Sequence, residues 1–258
     1  MSPSELLVLA EDLARDAGAQ LRVAFDRGDL EVSAKSSPTD MVSEADEAAE
    51  ALIRGRLAAA RPGDGILGEE EGDTPGTTGV RWIVDPLDGT TNFLFGIPQW
   101  AVSVACEDAD GPLAGTVYDP MRDELWSAER GGTPTCNGAP ITASRKDDLA
   151  QALVATGFGY ESAVRARQGE LAAVLLPRVR DIRRLGAAAL DLAWVAGGRM
   201  DAFYERGLKA WDRAAGELLC TRAGLELVEL PAEGVMPEGV LIAPPALMGP
   251  LRELVGHA

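Results

Sequence analysis

The chain has 258 residues, 46% of them hydrophobic and 25% charged, enough apolar material to build a large core, which excludes a disordered polymer. Lys and Arg number 24 against 41 Asp and Glu, a net charge of −17, which excludes a phosphate-tracking nucleic-acid binder and an anionic-membrane binder. Cys106, Cys136 and Cys220 are widely spaced and odd in number, so neither a disulfide framework nor a structural zinc site is expected.

The opening stretch, MSPSELLVLAEDLARD, is acidic and amphipathic, unlike a signal peptide, and no run reaches 18 apolar residues. The expectation is a cytoplasmic protein with no membrane and no nucleic-acid partner. Leu6, Leu9, Leu13, Ala17 and Leu21 recur at helical spacing and predict a first helix over 4–26. Residues 35–40 form a turn-rich loop, and a second helix starts at Ser43 with acids in its first turns, as the helix dipole favours. Arg61-Pro62-Gly63 ends it. Ile66-Leu67 reads as a short strand running into Gly68-Glu69, and 72–79 reads as a mobile loop.

Residues 81–84 predict a strand that stops at Asp85-Pro86. Further strands are expected over 101–106, 113–118 and 124–128, as an antiparallel meander. The second half alternates. Strands are expected at 152–156, 181–184, 200–204 and 240–243, with helices at 163–176, 187–196, 212–223 and 245–255. Trp100, Trp126 and Trp194 lie in apolar runs and are expected in the core. The layout is one unit, with an α+β half over about 1–145 and an α/β half over about 146–258, in alternating helix and sheet layers.

Only one histidine exists, His257, next to the last residue, so chemistry depending on a histidine base or ligand is excluded. Carboxylates, hydroxyls and hard cations remain. The most informative stretch is Trp82 to Phe93, WIVDPLDGTTNF. An apolar strand delivers Asp85, Pro86 turns the chain, and Asp88 follows three residues later. Two carboxylates and the Leu87 carbonyl between them suit a divalent cation, and Gly89-Thr90-Thr91 offers free amides to an anion. A bare Asp-Pro-x-Asp-Gly is commonly an ordinary turn; the full string is far more specific.

DPLDGTTNF resembles the signature of the inositol monophosphatase family. WDRAAG from Trp211 is similar to its C-terminal WDxAAG motif, Gly68-Glu69-Glu70 to its GEE motif, and Lys35 to Asp46 to its N-terminal segment. The resemblance implies a layered α-β-α-β-α sandwich of the sugar-phosphatase type, as a homodimer. It implies that Glu69, Asp85, the Leu87 carbonyl, Asp88 and Asp212 hold two or three Mg2+ ions per subunit, with Mn2+ as an alternative. Glu69 and Thr90, the latter backed by Asp46, would orient a metal-activated water. Asp88, Gly89, Thr90, Ala188, Glu205 and Asp212 would contact the substrate, and Lys35 would belong to a loop closing over it.

The implied activity is hydrolysis of a small phosphorylated polyol, with inositol monophosphate favoured. Histidinol phosphate, fructose 1,6-bisphosphate and 3′-phosphoadenosine nucleotides are the alternative substrates. A regulatory binding protein on the same scaffold is the alternative of another class.

Overall fold

The structure is a computed structural model that describes residues 2–28, 32–34 and 41–256. Lys35 and His257 lie outside the described residues.

Helix α1 (Pro3–Arg27) begins with a capping box, in which Ser2 and Glu5 satisfy each other's backbone amides, and ends at Gly28 in the left-handed conformation. A short antiparallel pair, β1 (Val32–Ala34) and β2 (Met41–Ser43), leads to helix α2 (Glu44–Ala60), which starts one residue after the expected point. The two buried stripes, Leu6, Leu13 and Leu21 from α1 and Ile53 and Leu57 from α2, pack on Trp82, Val84, Val102 and Val104 of a large sheet.

That sheet has eight strands: β3 (Gly65–Gly68), β4 (Gly72–Thr74), β5 (Arg81–Asp88), β6 (Ala101–Asp108), β7 (Gly111–Asp119), β8 (Glu124–Glu129), β9 (Thr135–Cys136) and β10 (Ala139–Pro140). Their spatial order is β10-β9-β8-β7-β6-β5-β3-β4, antiparallel throughout except for the parallel β3–β5 pair. The expected meander is therefore present but extended. Part of the expected 72–79 loop is an edge strand, because Gly72–Thr74 folds back on β3 and pairs Gly68 with Gly72.

The second sheet has five strands, β12 (Asp181–Arg183), β11 (Leu153–Thr156), β13 (Ala202–Arg206), β15 (Gly239–Ala243) and β14 (Glu226–Leu230), in that spatial order. Between the sheets lie α5 (Ala188–Ala196) and α6 (Ala210–Arg222), whose Leu190, Leu192, Val195, Ala215 and Leu219 meet Ile83 and Val117 on one side and Phe203 and Ile242 on the other. Beyond the second sheet, α4 (Ser162–Leu175) and α7 (Pro245–Val255) cover Val154, Tyr204 and Leu241. Five layers result, α-β-α-β-α, each apolar face covered by the next. Among the described residues no helix is long and apolar enough to cross a membrane.

The expected end of the 81–84 strand at Asp85-Pro86 is corrected. Strand β5 continues to Asp88, and its register against β6 shifts between Asp85 and Asp88. The irregularity accommodates Pro86, which has no amide to give to a ladder, and re-aims the carboxylates on either side of it. Strand β13 starts two residues later than expected, and β14 has mixed burial that hid it from periodicity. Trp100 and Trp126 are buried as expected, whereas Trp194 is half-buried and stacked by Arg122 and Arg199.

Candidate active site

The parallel β3–β5 pair sets the geometry. Gly68 pairs with Val84, and the Glu69 amide donates to the Val84 carbonyl (3.2 Å), which places Glu69 beside the start of the Asp85 turn. Alternation along β5 turns Trp82 and Val84 toward α1 and α2 and Ile83 toward the central helices, so Asp85 enters the central layer. Asp85 is 1% exposed, and its Oδ1 accepts from the Leu87 amide (3.0 Å).

Gly89 then takes a left-handed conformation (φ 94°) as the N-cap of α3 (Thr90–Leu94). A side chain there would crowd the Gln99 carbonyl and Ala187, besides straining the backbone. Thr90 Oγ1 is 3.2 Å from Asp46 Oδ1 and 3.1 Å from the Leu87 carbonyl, and it can donate to either. Asp46 is buried on the first turn of α2.

Asp88 points the other way, into the N-terminus of α5. Its Oδ1 accepts from the Ala188 amide (2.9 Å), and its Oδ2 accepts from Ala189 (2.8 Å) and Leu190 (3.2 Å). The Ala188 amide, expected to face a substrate, is thus directed at Asp88. Asp212 Oδ2 accepts from the Lys209 amide (2.6 Å) on the first turn of α6.

The electrostatics show how close these groups are. Burial, followed by the charges of Glu69, Asp88 and Asp212, holds the Asp85 carboxyl well above its ordinary range, and Glu69 also shares a hydrogen bond with it. Burial and the Asp212 charge push Asp88 up to about 7 despite three amide donors. Burial and then Asp212 push Glu205 up to about 8. The structure therefore brings Glu69, Asp85, Asp88, Asp212 and Glu205 into one acidic region, with Thr90 and Asp46 at the turn linking Asp85 to α3. Room for Glu205 comes from Gly157, where a Cβ would overlap its carboxylate.

Sequence reasoning missed two polar residues. Asp191, buried on α5, has a carboxyl pushed well up by burial, then by Glu205 and Asp88, while Arg184 pulls it down. Its signal was an acid inside the otherwise apolar AALDLAWVA run. Asn92 is buried and donates from Nδ2 to the carbonyls of Gln99 (2.7 Å) and Leu185 (2.8 Å), tying α3 to the segment before α5.

Among the described residues, no group of three or more His, Cys, Asp or Glu side chains is closed around a cation position. The donor chemistry nevertheless fits a hard divalent ion. Glu69, Asp85, Asp88 and Asp212 offer only oxygen acceptors, and the raised carboxyls owe their shifts to burial and mutual repulsion, both of which a cation offsets.

The model of the inositol monophosphatase family matches residues 2–254. The inositol-1-monophosphatase SuhB of Mycobacterium tuberculosis is 42% identical over 269 aligned residues, covering 95% of this chain and 91% of that protein. The Nus factor SuhB of Salmonella typhimurium is 40% identical over 221 residues, covering 85% and 83%. Among solved structures, the extragenic suppressor protein suhB of Bartonella henselae superposes with a TM-score of 0.91 at 35% identity, covering 98% of this chain and 99% of that one. Motifs, layers and relatives agree across nearly the whole chain, which belongs to the inositol monophosphatase family of phosphoric monoester hydrolases.

Proposed function

We propose that the protein hydrolyses inositol monophosphate to inositol and phosphate, with Mg2+ held by Glu69, Asp85, the Leu87 carbonyl, Asp88 and Asp212. The observation that carries this reading is the convergence of buried carboxylates, where burial first and mutual repulsion second hold the Asp85 and Asp88 carboxyls above their ordinary range. Two or three divalent ions, when bound, would offset the four negative charges, acidify a water and neutralise the ester's phosphate. Mn2+ would serve the same donors.

The protein's own groups then position the reactants. Thr90 donates its hydroxyl hydrogen bond to Asp46, which leaves its oxygen lone pairs to accept from the attacking water. Glu69 accepts the second hydrogen bond from the same water and fixes its direction. The amides of Gly89 and Thr90 hold phosphate oxygens, and water enters in line with the departing alcohol. Glu205 accepts from a hydroxyl of the polyol, a role in which an acid sunk beside the pocket discriminates hydroxylated from apolar leaving groups. A cytoplasmic homodimer belongs to the same reading; Phe95 and Ile97, exposed just beyond α3, are apolar surface that a partner subunit would cover.

The test is a panel of phosphate esters with Mg2+, reporting kcat/KM for inositol monophosphate, histidinol phosphate, fructose 1,6-bisphosphate and a 3′-phosphoadenosine nucleotide. Inositol monophosphate should head the ranking. Another ester at the head overturns the substrate, and turnover surviving exhaustive chelation overturns the metal dependence. A second reading, a regulatory binding protein, is favoured by the similarity to a relative named Nus factor SuhB. Equal, negligible phosphate release by the wild type and Asp88→Asn would support that reading.

A further inference from the structure

Three residues on one face of α2 stand a turn apart: Asp46, Glu50 and Arg54. Asp46 meets Thr90. Glu50 is completely buried, and its carboxylate reaches the turn that carries Glu69. Its Oε2 accepts from the Glu70 amide (2.7 Å) and its Oε1 from the Glu71 amide (3.0 Å). Arg54 closes the arrangement: its Nε donates to Glu50 Oε1 (2.7 Å), Nη2 to the Gly72 carbonyl (2.5 Å) and Nη1 to Thr74 Oγ1 (3.1 Å).

All three amides of the β3–β4 turn are thereby assigned. That of Glu69 goes to Val84 on β5, and those of Glu70 and Glu71 go to Glu50. Gly68 completes the fit, because a Cβ there would overlap the Glu50 carboxylate. The turn is three consecutive glutamates, and a fourth buried acid beneath them is unfavourable for charge. A buried ion pair is also weak evidence of stabilisation, since desolvation offsets most of its attraction. What the carboxylate contributes is geometry: two fixed acceptors spaced for two successive amides.

We propose that Glu50 and Arg54 are positioning residues that hold the Glu69 turn in place, so that α2 acts as a rigid template for both water-orienting groups, Thr90 through Asp46 and Glu69 through Glu50. This inference rests on the assignment of Glu69 to the cation and water site. Neither α2 residue touches the reacting atoms. Loss of the clamp leaves the Glu70 and Glu71 amides without their acceptor and loosens the turn, which shifts Glu69 relative to Asp85.

The test uses the full chain, with Mn2+ as the probe. Direct binding is measured by electron paramagnetic resonance, and amide exchange at Glu70 and Glu71 is measured in chelated protein. Glu50→Gln should weaken Mn2+ binding about 10–100-fold, the range for residues that orient metal ligands, and should speed exchange at both amides. Arg54→Met should do the same, whereas Arg54→Lys, which keeps the charge without the fork, should fall between it and wild type. A purely structural role predicts instead a smaller folded fraction with unchanged Mn2+ affinity. Folded Glu50→Gln with wild-type affinity and exchange overturns the clamp; should Glu50→Gln fail to fold, wild-type values in Arg54→Met overturn it. Glu69→Gln separates the two layers of the argument. If it binds Mn2+ and turns over as wild type does, the assignment of Glu69 falls; if it is impaired while Glu50→Gln is not, only the clamp falls.

Discussion

Replacing Asp88 with Asn should abolish turnover and at the same time change the stability of the metal-free protein in a strictly pH-dependent way. Asp88 has an ordinary carboxyl value of 3.8 in the unfolded chain and is pushed up to about 7 in the fold by burial and by Asp212. A folded value above the unfolded one means that the folded state holds the proton more tightly. The stability associated with that proton is fully present below about pH 4 and is lost as pH rises toward 7. Three units at about 1.4 kcal/mol each set an upper bound of about 4 kcal/mol for the loss. Because Asp212 supplies part of the repulsion and can take up the proton instead, about 2 kcal/mol is the expected gain. Asn carries no charge and so escapes this loss, but its Nδ2 cannot accept from the α5 amides that one of the Asp88 oxygens binds, which costs about 1–3 kcal/mol at every pH. In chelated protein the variant should therefore melt several degrees below wild type near pH 4, at about 2–4 °C per kcal/mol for a chain of this size, and should recover about 2 kcal/mol of that deficit at pH 8. Saturating Mg2+ should widen the deficit at pH 8, since a ligand at about 100 times its Kd adds about 2.7 kcal/mol to the protein that binds it. Calorimetry at pH 4 and pH 8, with and without Mg2+, is the assay. A melting difference that is the same at pH 4 and pH 8 in chelator would refute the claim that these acids repel one another in the fold.

Other perturbations probe the supports of the site. Asn92→Ala strips the Gln99 and Leu185 carbonyls of their donor and should cost about 1–3 kcal/mol in urea unfolding. It should also lower kcat/KM, because the segment that leads into the Ala188–Leu190 amides loses its tie to α3. Asp64 is a structural control far from the chemistry: buried, it accepts from Arg61 (2.7 and 2.9 Å), Thr78 (2.6 Å) and Trp82 (2.9 Å). Burial raises its carboxyl, but these partners outweigh burial and leave it lowered. With the folded value below the unfolded one, its contribution exists above the unfolded value and disappears as pH falls through the folded one. Asp64→Asn should therefore cost about 1.5–3 kcal/mol at pH 7, with the difference shrinking in acid and kcat per folded molecule unchanged.

Much of this arrangement is legible in the sequence, and for identifiable reasons. Leu6, Leu13 and Leu21 announce α1 because its buried stripe is unbroken, and WIVDPLDGTTNF carries strand, turn, acids and cap in twelve consecutive residues. What escaped is whatever depends on distant pairing. Strand β5 runs on past Pro86 only because β6 tolerates a shifted register. The donors to Asp88 lie 100 to 102 residues away, at the tip of a helix whose apolar sequence gives no hint of an anion. Glu50 reads as one more acid on an acidic helix until Gly68 is seen to make room for it. Single-residue polarity predicts solvent; only the fold shows which polar groups are inside.

The way the site carboxylates are held explains how an acidic chain can keep an acidic pocket. Asp85 accepts from Leu87, Asp88 from three amides of α5, and Asp212 from Lys209, all of them backbone donors. An arginine in those places would satisfy the same oxygens but would also cancel the charge that attracts a divalent ion. Backbone amides orient a carboxylate with partial charge only, so each acid is fixed in direction without a cationic side chain that would compete with a divalent ion. Arg54 is set one step back, bonded to Glu50 beneath the turn. The cationic side chain thus braces the turn from beneath, where it would not compete with a cation proposed at Glu69.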